Sequence, residues 1–369
     1  MKKILFAFCI LHIAFSLKAQ QIKILTEGIK TSIRGLSVVN DKVIWASGSN
    51  GMVARSANAG NSFEWQQVKG FEKIDFRDIE AFDSNTAIIM GVASPAYILK
   101  TKDGGKNWYK VFEDTTKGMF LDAMKFNGSE IEDTNSQIII KDIDDSTNSN
   151  NKIRLERMGI VIGDPINGKP FVAMTDNDGN TWKSFNSDSS MLAIITAFNT
   201  GEAFFASSGT NISFINGKYN FLLAVSGGKN SRLIVLPTGL TYSLPIMQGK
   251  ESTGANSIDI NSKTKKGIIV GGDFANDKDT TLNCVLIDFN KKIKFTHTQT
   301  PPHGYRSCVI YLDENNLVTC GTSGVDISND GGNNWQLISA ESFHVVQKAK
   351  KGNAVFLAGS KGRIAQIIF

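Results

Sequence analysis

Thr101-Lys102-Asp103-Gly104-Gly105-Lys106-Asn107-Trp108 is a phrase that this chain uses four times. Its other versions are Ser56-Ala57-Asn58-Ala59-Gly60-Asn61-Ser62-Phe63, Thr175-Asp176-Asn177-Asp178-Gly179-Asn180-Thr181-Trp182 and Ser328-Asn329-Asp330-Gly331-Gly332-Asn333-Asn334-Trp335. Each opens on Ser or Thr, places Asp or Asn third and Gly fifth, and closes on an aromatic residue. Those residue types build a tight turn between strands. The short polar side chains bond nearby backbone N–H groups, the glycine accepts a positive φ, and the aromatic ring packs back onto the sheet.

Between these turns run short apolar strands that end on glycine: Val43 to Gly48, Ala87 to Gly91, Gly159 to Gly163, Phe221 to Gly227, Gly267 to Gly271, Leu317 to Gly321 and Val355 to Gly359. The terminal glycines recur every 40 to 70 residues or so, the length of a four-stranded blade with or without an insertion. Seven such units predict an all-β fold, a seven-bladed β-propeller with four-stranded blades and few helices. The two widest gaps hold a polar excursion between Asn127 and Arg157, read as a solvated loop, and a long connection from Gly239 to Ala255 between the fourth and fifth blades. The last blade offers three strands, whereas Gln21 to Glu27 is a lone strand ahead of the first. Adding that strand to the last blade would close the ring and remove two open sheet edges.

Composition agrees with one folded unit. Among 369 residues, 41% are hydrophobic, 34 are glycine and only 7 are proline, which excludes general disorder. Lys2 and Lys3, an apolar run from Ile4 to Phe15, and Ser16-Leu17-Lys18-Ala19 have the order of a secretory signal, cleaved after Ala19 or Ser16. The apolar run is too short for the roughly 20 residues a spanning helix needs. Residues 1–19 are therefore expected to be a signal peptide and residues 20–369 a single domain, monomeric, periplasmic or secreted, without a transmembrane anchor. Losing the leader removes three lysines and no acid, so the formal charge falls from +5 to +2. The remaining charges are mixed along the chain, which argues against a nucleic-acid partner. Cys284, Cys308 and Cys320 remain, an odd number. Cys308 and Cys320 flank a predicted hairpin and are expected to be buried free thiols rather than a disulfide.

The inner strand of every blade starts at one face of the ring, opposite the repeated turns. In register these starts are Ile33-Arg34-Gly35, Phe76-Arg77-Asp78, Leu121-Asp122-Ala123, Gly201-Glu202-Ala203, Asn256-Ser257-Ile258, Tyr305-Arg306-Ser307 and Phe343-His344-Val345. Arg34, Arg77 and Arg306 would converge on the axis with His344, and Asp78, Asp122, Asp164 and Asp273 are their candidate carboxylate partners. Convergent guanidinium groups must meet either carboxylates or a bound anion, so these residues are read as a binding funnel for a carboxylate, glycan or phosphate. Trp45, Trp108, Trp182 and Trp335 are assigned to packing between blades. P-loop, dinucleotide, nucleophile-elbow and zinc motifs are absent from the sequence, so neither cofactor nor metal is expected.

The four repeated phrases resemble Asp-box, or BNR, repeats. With Asp75-Phe76-Arg77-Asp78, Gly163-Asp164-Pro165, Gly271-Gly272-Asp273, Gly304-Tyr305-Arg306-Ser307 and Gly321-Thr322-Ser323-Gly324, the chain is similar to secreted bacterial propellers related to the photosystem II stability and assembly factor family. That resemblance implies a non-catalytic assembly or interaction module with a protein partner. Sialidases, which join Asp-boxes to an arginine triad, are a second and weaker resemblance. They imply a glycoside hydrolase acting on an acidic glycan, with Arg34, Arg77 and Arg306 as the triad and Glu202, Asp164 and Tyr305 as catalytic candidates. Ile33-Arg34-Gly35-Leu36 lacks the proline of the sialidase arginine motif.

Overall fold

A computed structural model describes residues 20–127, 157–185, 197–215, 221–236 and 238–369. The signal-peptide reading and most of the polar excursion after Asn127 lie outside these residues. Every element among the described residues is a strand, and the strands form seven four-stranded antiparallel blades around one axis. The first blade shows the plan: Ile33–Val38 is innermost, followed by Ile44–Gly48, Met52–Ser56 and, on the rim, Glu64–Gln67. The other inner strands are Phe76–Ala81, Leu121–Phe126, Ile212–Ile215, Thr253–Asn261, Cys308–Tyr311 and Val345–Lys348.

The ring closes as the sequence predicts. Gln21–Thr26 pairs antiparallel with Ile364–Ile368, Gln21 opposite Ile368 and Ile24 opposite Ala365, and so becomes the outer strand of the seventh blade. The fourth blade departs from the sequence reading in two places. Its rim strand is Leu240–Ser243, inside the stretch read as a connection. Its inner strand begins at Ile212, well after Glu202.

All four repeated turns share one set of hydrogen bonds. The hydroxyl of the first residue accepts from the glycine N–H at 3.0 to 3.1 Å in each copy. The third side chain accepts from the N–H four residues on at 2.9 to 3.0 Å. Each glycine has positive φ, between 72° and 91°. Each also faces the preceding blade: a Cβ there would press into Leu25 from Gly60, Ile88 from Gly179 and Ile268 from Gly332, and would touch Trp45 from Gly105. The turn therefore closes a blade and seals it to its neighbour. Aromatic residues fill the same seams, as where Trp45, fully buried, meets Trp108 of the next blade edge-on at 6.4 Å. Cys308 and Cys320 sit opposite each other as buried free thiols, and the Cys308 thiol donates to Val346 O at 3.4 Å.

Candidate functional site

The glycines that end the second strands are a consequence of how the inner strands begin. A Cβ on Gly48 would lie 2.6 Å from Ser32 O, and Cβ atoms on Gly163, Gly271 and Gly321 would collide with Phe120 O, Gly254 O and Tyr305 O. The inner strand crowds its neighbour at this level because its pairing slips by one residue. The slips fall between Ile33 and Gly35, Phe76 and Asp78, Leu121 and Ala123, and Ala255 and Ser257. An extra residue in one strand is a β-bulge, which re-aims its side chain. The re-aimed residues are Arg34, Arg77, Asp122 and Asn256. In the sixth blade Ser307 N donates to Cys320 O although Cys308 is the partner of Cys320, and in the seventh His344 N donates to Ala358 O although Val345 is the partner of Ala358. Ser307 and His344 thus occupy the same place in the ring.

The fourth blade contributes no such residue and instead sends Phe205 to Thr210 across the axis. Ser207 O accepts from Arg34 Nη1 of the first blade at 3.2 Å, and Ser207 Oγ donates to Asn256 Oδ1 of the fifth at 2.8 Å. Ser208 Oγ donates to Ser307 O of the sixth at 2.7 Å, and Thr210 Oγ1 donates to Ser257 Oγ at 2.8 Å. Gly209 lies against the Asp78 carboxyl of the second blade. Five blades are tied together by one segment, and the axis is plugged rather than open.

Above the plug lies the mouth. Arg77 Nε donates to Asp75 at 2.8 Å, its guanidinium stacks over Phe120 at 5.4 Å, and 28% of its side chain remains exposed. Arg34 is half-buried beside it, and burial followed by the Arg77 cation pulls its pKa below the usual arginine value. Phe274, 49% exposed, stands edge-on to Phe205 at 5.9 Å and to Tyr305 at 6.3 Å. On the side of the third blade the Asp164 carboxyl accepts from Phe204 N at 3.0 Å and is raised to about 6 by burial. Asp122, fully buried, is raised by burial and then by the nearby Asp164 charge, against the pull of Arg77.

Several sequence expectations are corrected here. Arg306 does not reach the mouth, because it stands one residue before the bulge position and points into its own blade. Its guanidinium, 0% exposed, pairs with Asp326, with Nε 2.7 Å from the carboxylate, and also donates to Tyr305 O at 2.8 Å and Ser323 Oγ at 2.6 Å. Glu202 precedes the inner strand and is locked, fully buried, against Arg232 at 2.7 Å. The Tyr305 hydroxyl donates to Asn256 Oδ1 at 2.8 Å and is buried. Asp78 sits beneath the plug and accepts from Met124 N and Ile79 N at 2.7 and 2.8 Å instead of pairing with an arginine. Asp273 anchors its own loop through Ala275 N at 2.9 Å, with Lys250 at 3.4 Å. His344 wedges between the seventh and first blades. Its Nδ1 donates to Ile33 O at 2.9 Å, and burial, then the Arg34 cation, lower its pKa to about 4 and keep it neutral. The arginine triad required by the sialidase resemblance is not assembled.

Sequence reasoning overlooked Asp75, the partner Arg77 takes, together with Ser207, Asn256 and Phe274. The signal for Asp75 was its position two residues before Arg77, on the same face of an extended segment.

The molecule is therefore a closed, axially plugged seven-bladed propeller whose mouth presents two neighbouring guanidinium groups among aromatic rings. Among solved structures it is similar to YCF48 bound to D1 peptide, at 14% identity and a TM-score of 0.58, covering 95% of this chain and 97% of that one. It is likewise similar to YCF48 from Cyanidioschyzon merolae, at 14% identity and a TM-score of 0.58, covering 94% and 98%. YCF48 is a photosystem II assembly factor. The shared property at this identity is the fold. No family model matches the chain, and neither does any curated protein.

Proposed function

We propose that this protein is an exported, monomeric interaction module that holds an acidic segment of a partner protein at the propeller mouth. Arg77 carries the reading. Its guanidinium is fixed by Asp75 on one side and Phe120 beneath, yet stays partly open to solvent beside Arg34. A planar fork so held accepts a carboxylate with little loss of side-chain freedom. The exposed Phe274 ring, edge-on to Phe205 and Tyr305 on the fifth-blade side of the same mouth, offers apolar surface for another side chain of the same segment. That a propeller of the same fold has been solved with a peptide supports this use of the architecture. The leader-like residues 1–19 support export to the periplasm or beyond.

The test is capture from a native envelope extract by the tagged mature chain. Arg77→Ala with Phe274→Ala should reduce capture of the bound protein about tenfold or more, with the melting temperature unchanged. Equal capture by the double variant overturns the reading.

A further inference from the structure

The opposite end of the axis carries a separate cavity of about 400 Å³, between the first, second, third and seventh blades. Lys125, Arg157, Lys350 and Lys351 line it against a single carboxylate, Glu80. Glu80 is already engaged: the Lys350 ammonium pairs with it and also donates to Ala81 O at 2.8 Å and Ser37 Oγ at 3.1 Å. The Arg157 guanidinium lies 4.4 Å over the Phe82 ring and 3.3 Å from Asp178. Lys125 differs from these. Half-buried on the inner strand of the third blade, its ammonium makes no ion pair among the described residues. It also lines a recess of about 40 Å³ that leads from this end toward the underside of the plug. The two acids whose fields it feels, Asp78 and Asp259, are buried, bonded to backbone N–H groups and raised by burial toward the protonated form. Both carboxylates are turned to backbone donors, Asp78 to Met124 N and Ile79 N and Asp259 to Tyr311 N and Ile260 N, and neither forms an ion pair with Lys125 among the described residues.

An ammonium without a counter-ion among the described residues, set among further cations and low-dielectric walls, concentrates anions. A lysine is a point charge with three donors that can bind phosphate oxygens without a planar partner. The volume exceeds that of a bare ion, and Phe82 and Phe126 line it together with the charged groups. We propose that this cavity binds a small soluble phosphate monoester, its oxygens on Lys125 and its organic part against the two phenylalanine rings. The site is independent of the mouth and of the function proposed for it.

Calorimetric titration of the mature chain with phenyl phosphate at low salt tests this. Binding should weaken about tenfold or more in Lys125→Met, which keeps the apolar stem and removes the charge. Absence of binding to the unsubstituted chain, or equal binding by Lys125→Met, overturns the proposal. If Lys125→Met melts early, amide shifts in the unsubstituted chain decide: movement at Lys125 and Phe82 supports the site, and movement at Arg34 and Arg77 refutes it. Sedimentation with phosphatidic acid vesicles, while phenyl phosphate gives no heat, would also refute it in favour of a lipid headgroup.

Discussion

Replacing Arg306 by methionine separates the place this arginine holds from the place its sequence position suggested. The side chain is 0% exposed and its partner Asp326 is 0% exposed, so removal of the guanidinium leaves a buried carboxylate with His303 Nδ1, at 2.6 Å, as its remaining side-chain partner. Breaking one side of a buried ion pair costs about 3–5 kcal/mol. An unfolding entropy of about 2.1 cal/mol/K per residue, over the roughly 300 described residues, gives about 0.6 kcal/mol/K. The melting temperature of Arg306→Met should therefore fall by about 5–8 °C, read by calorimetry or circular dichroism at neutral pH. Adding Asp326→Leu should restore a large part of this, because an apolar pair of similar volume does not bury a lone charge. Partner capture by the folded variant should be unchanged, since Arg306 donates inside its own blade and offers nothing to the mouth. A variant that melts normally but loses capture would refute this account and return Arg306 to the binding face.

Two further outcomes follow from the ring. With Asp164 raised to about 6, the folded chain holds a proton between about pH 4 and pH 6 that the unfolded chain has released, so stability should decline as pH rises through this window, by up to about 3 kcal/mol. Asp164→Asn should flatten that part of a urea-midpoint profile against pH, and an unaltered slope would mean that the carboxyl ionises normally. Gly209→Ala should destabilise by more than about 2 kcal/mol, because φ is +66° and the new methyl would strike the Asp78 carboxyl. A neutral result in chemical denaturation would show that the plug segment is free to move.

The mouth was only partly legible in advance, and the reason is specific to bulges. A bulge shifts the side-chain face by one residue. Phe76-Arg77-Asp78 and Tyr305-Arg306-Ser307 look alike in sequence, but the slip comes at Arg77 in one and at Ser307 in the other. One arginine therefore reaches the axis while the other is buried against Asp326. Glu202 was misplaced for another reason. The fourth blade begins its inner strand only after the plug segment, and no periodic pattern marks a segment held by side-chain bonds to other blades.

Residues adjacent in the chain made the blade count, the repeated turns and the closing strand readable from sequence alone. A turn that bonds within eight residues and a strand that alternates by two carry their own rules. Whether a given arginine faces the axis or braces its own blade was decided by the tertiary structure, through contacts between residues far apart in sequence: Arg34 with Ser207, Gly209 with Asp78, Lys350 with Glu80. Those pairings exist only once seven sheets share one axis, where the strands approach most closely and a one-residue slip redirects a charge.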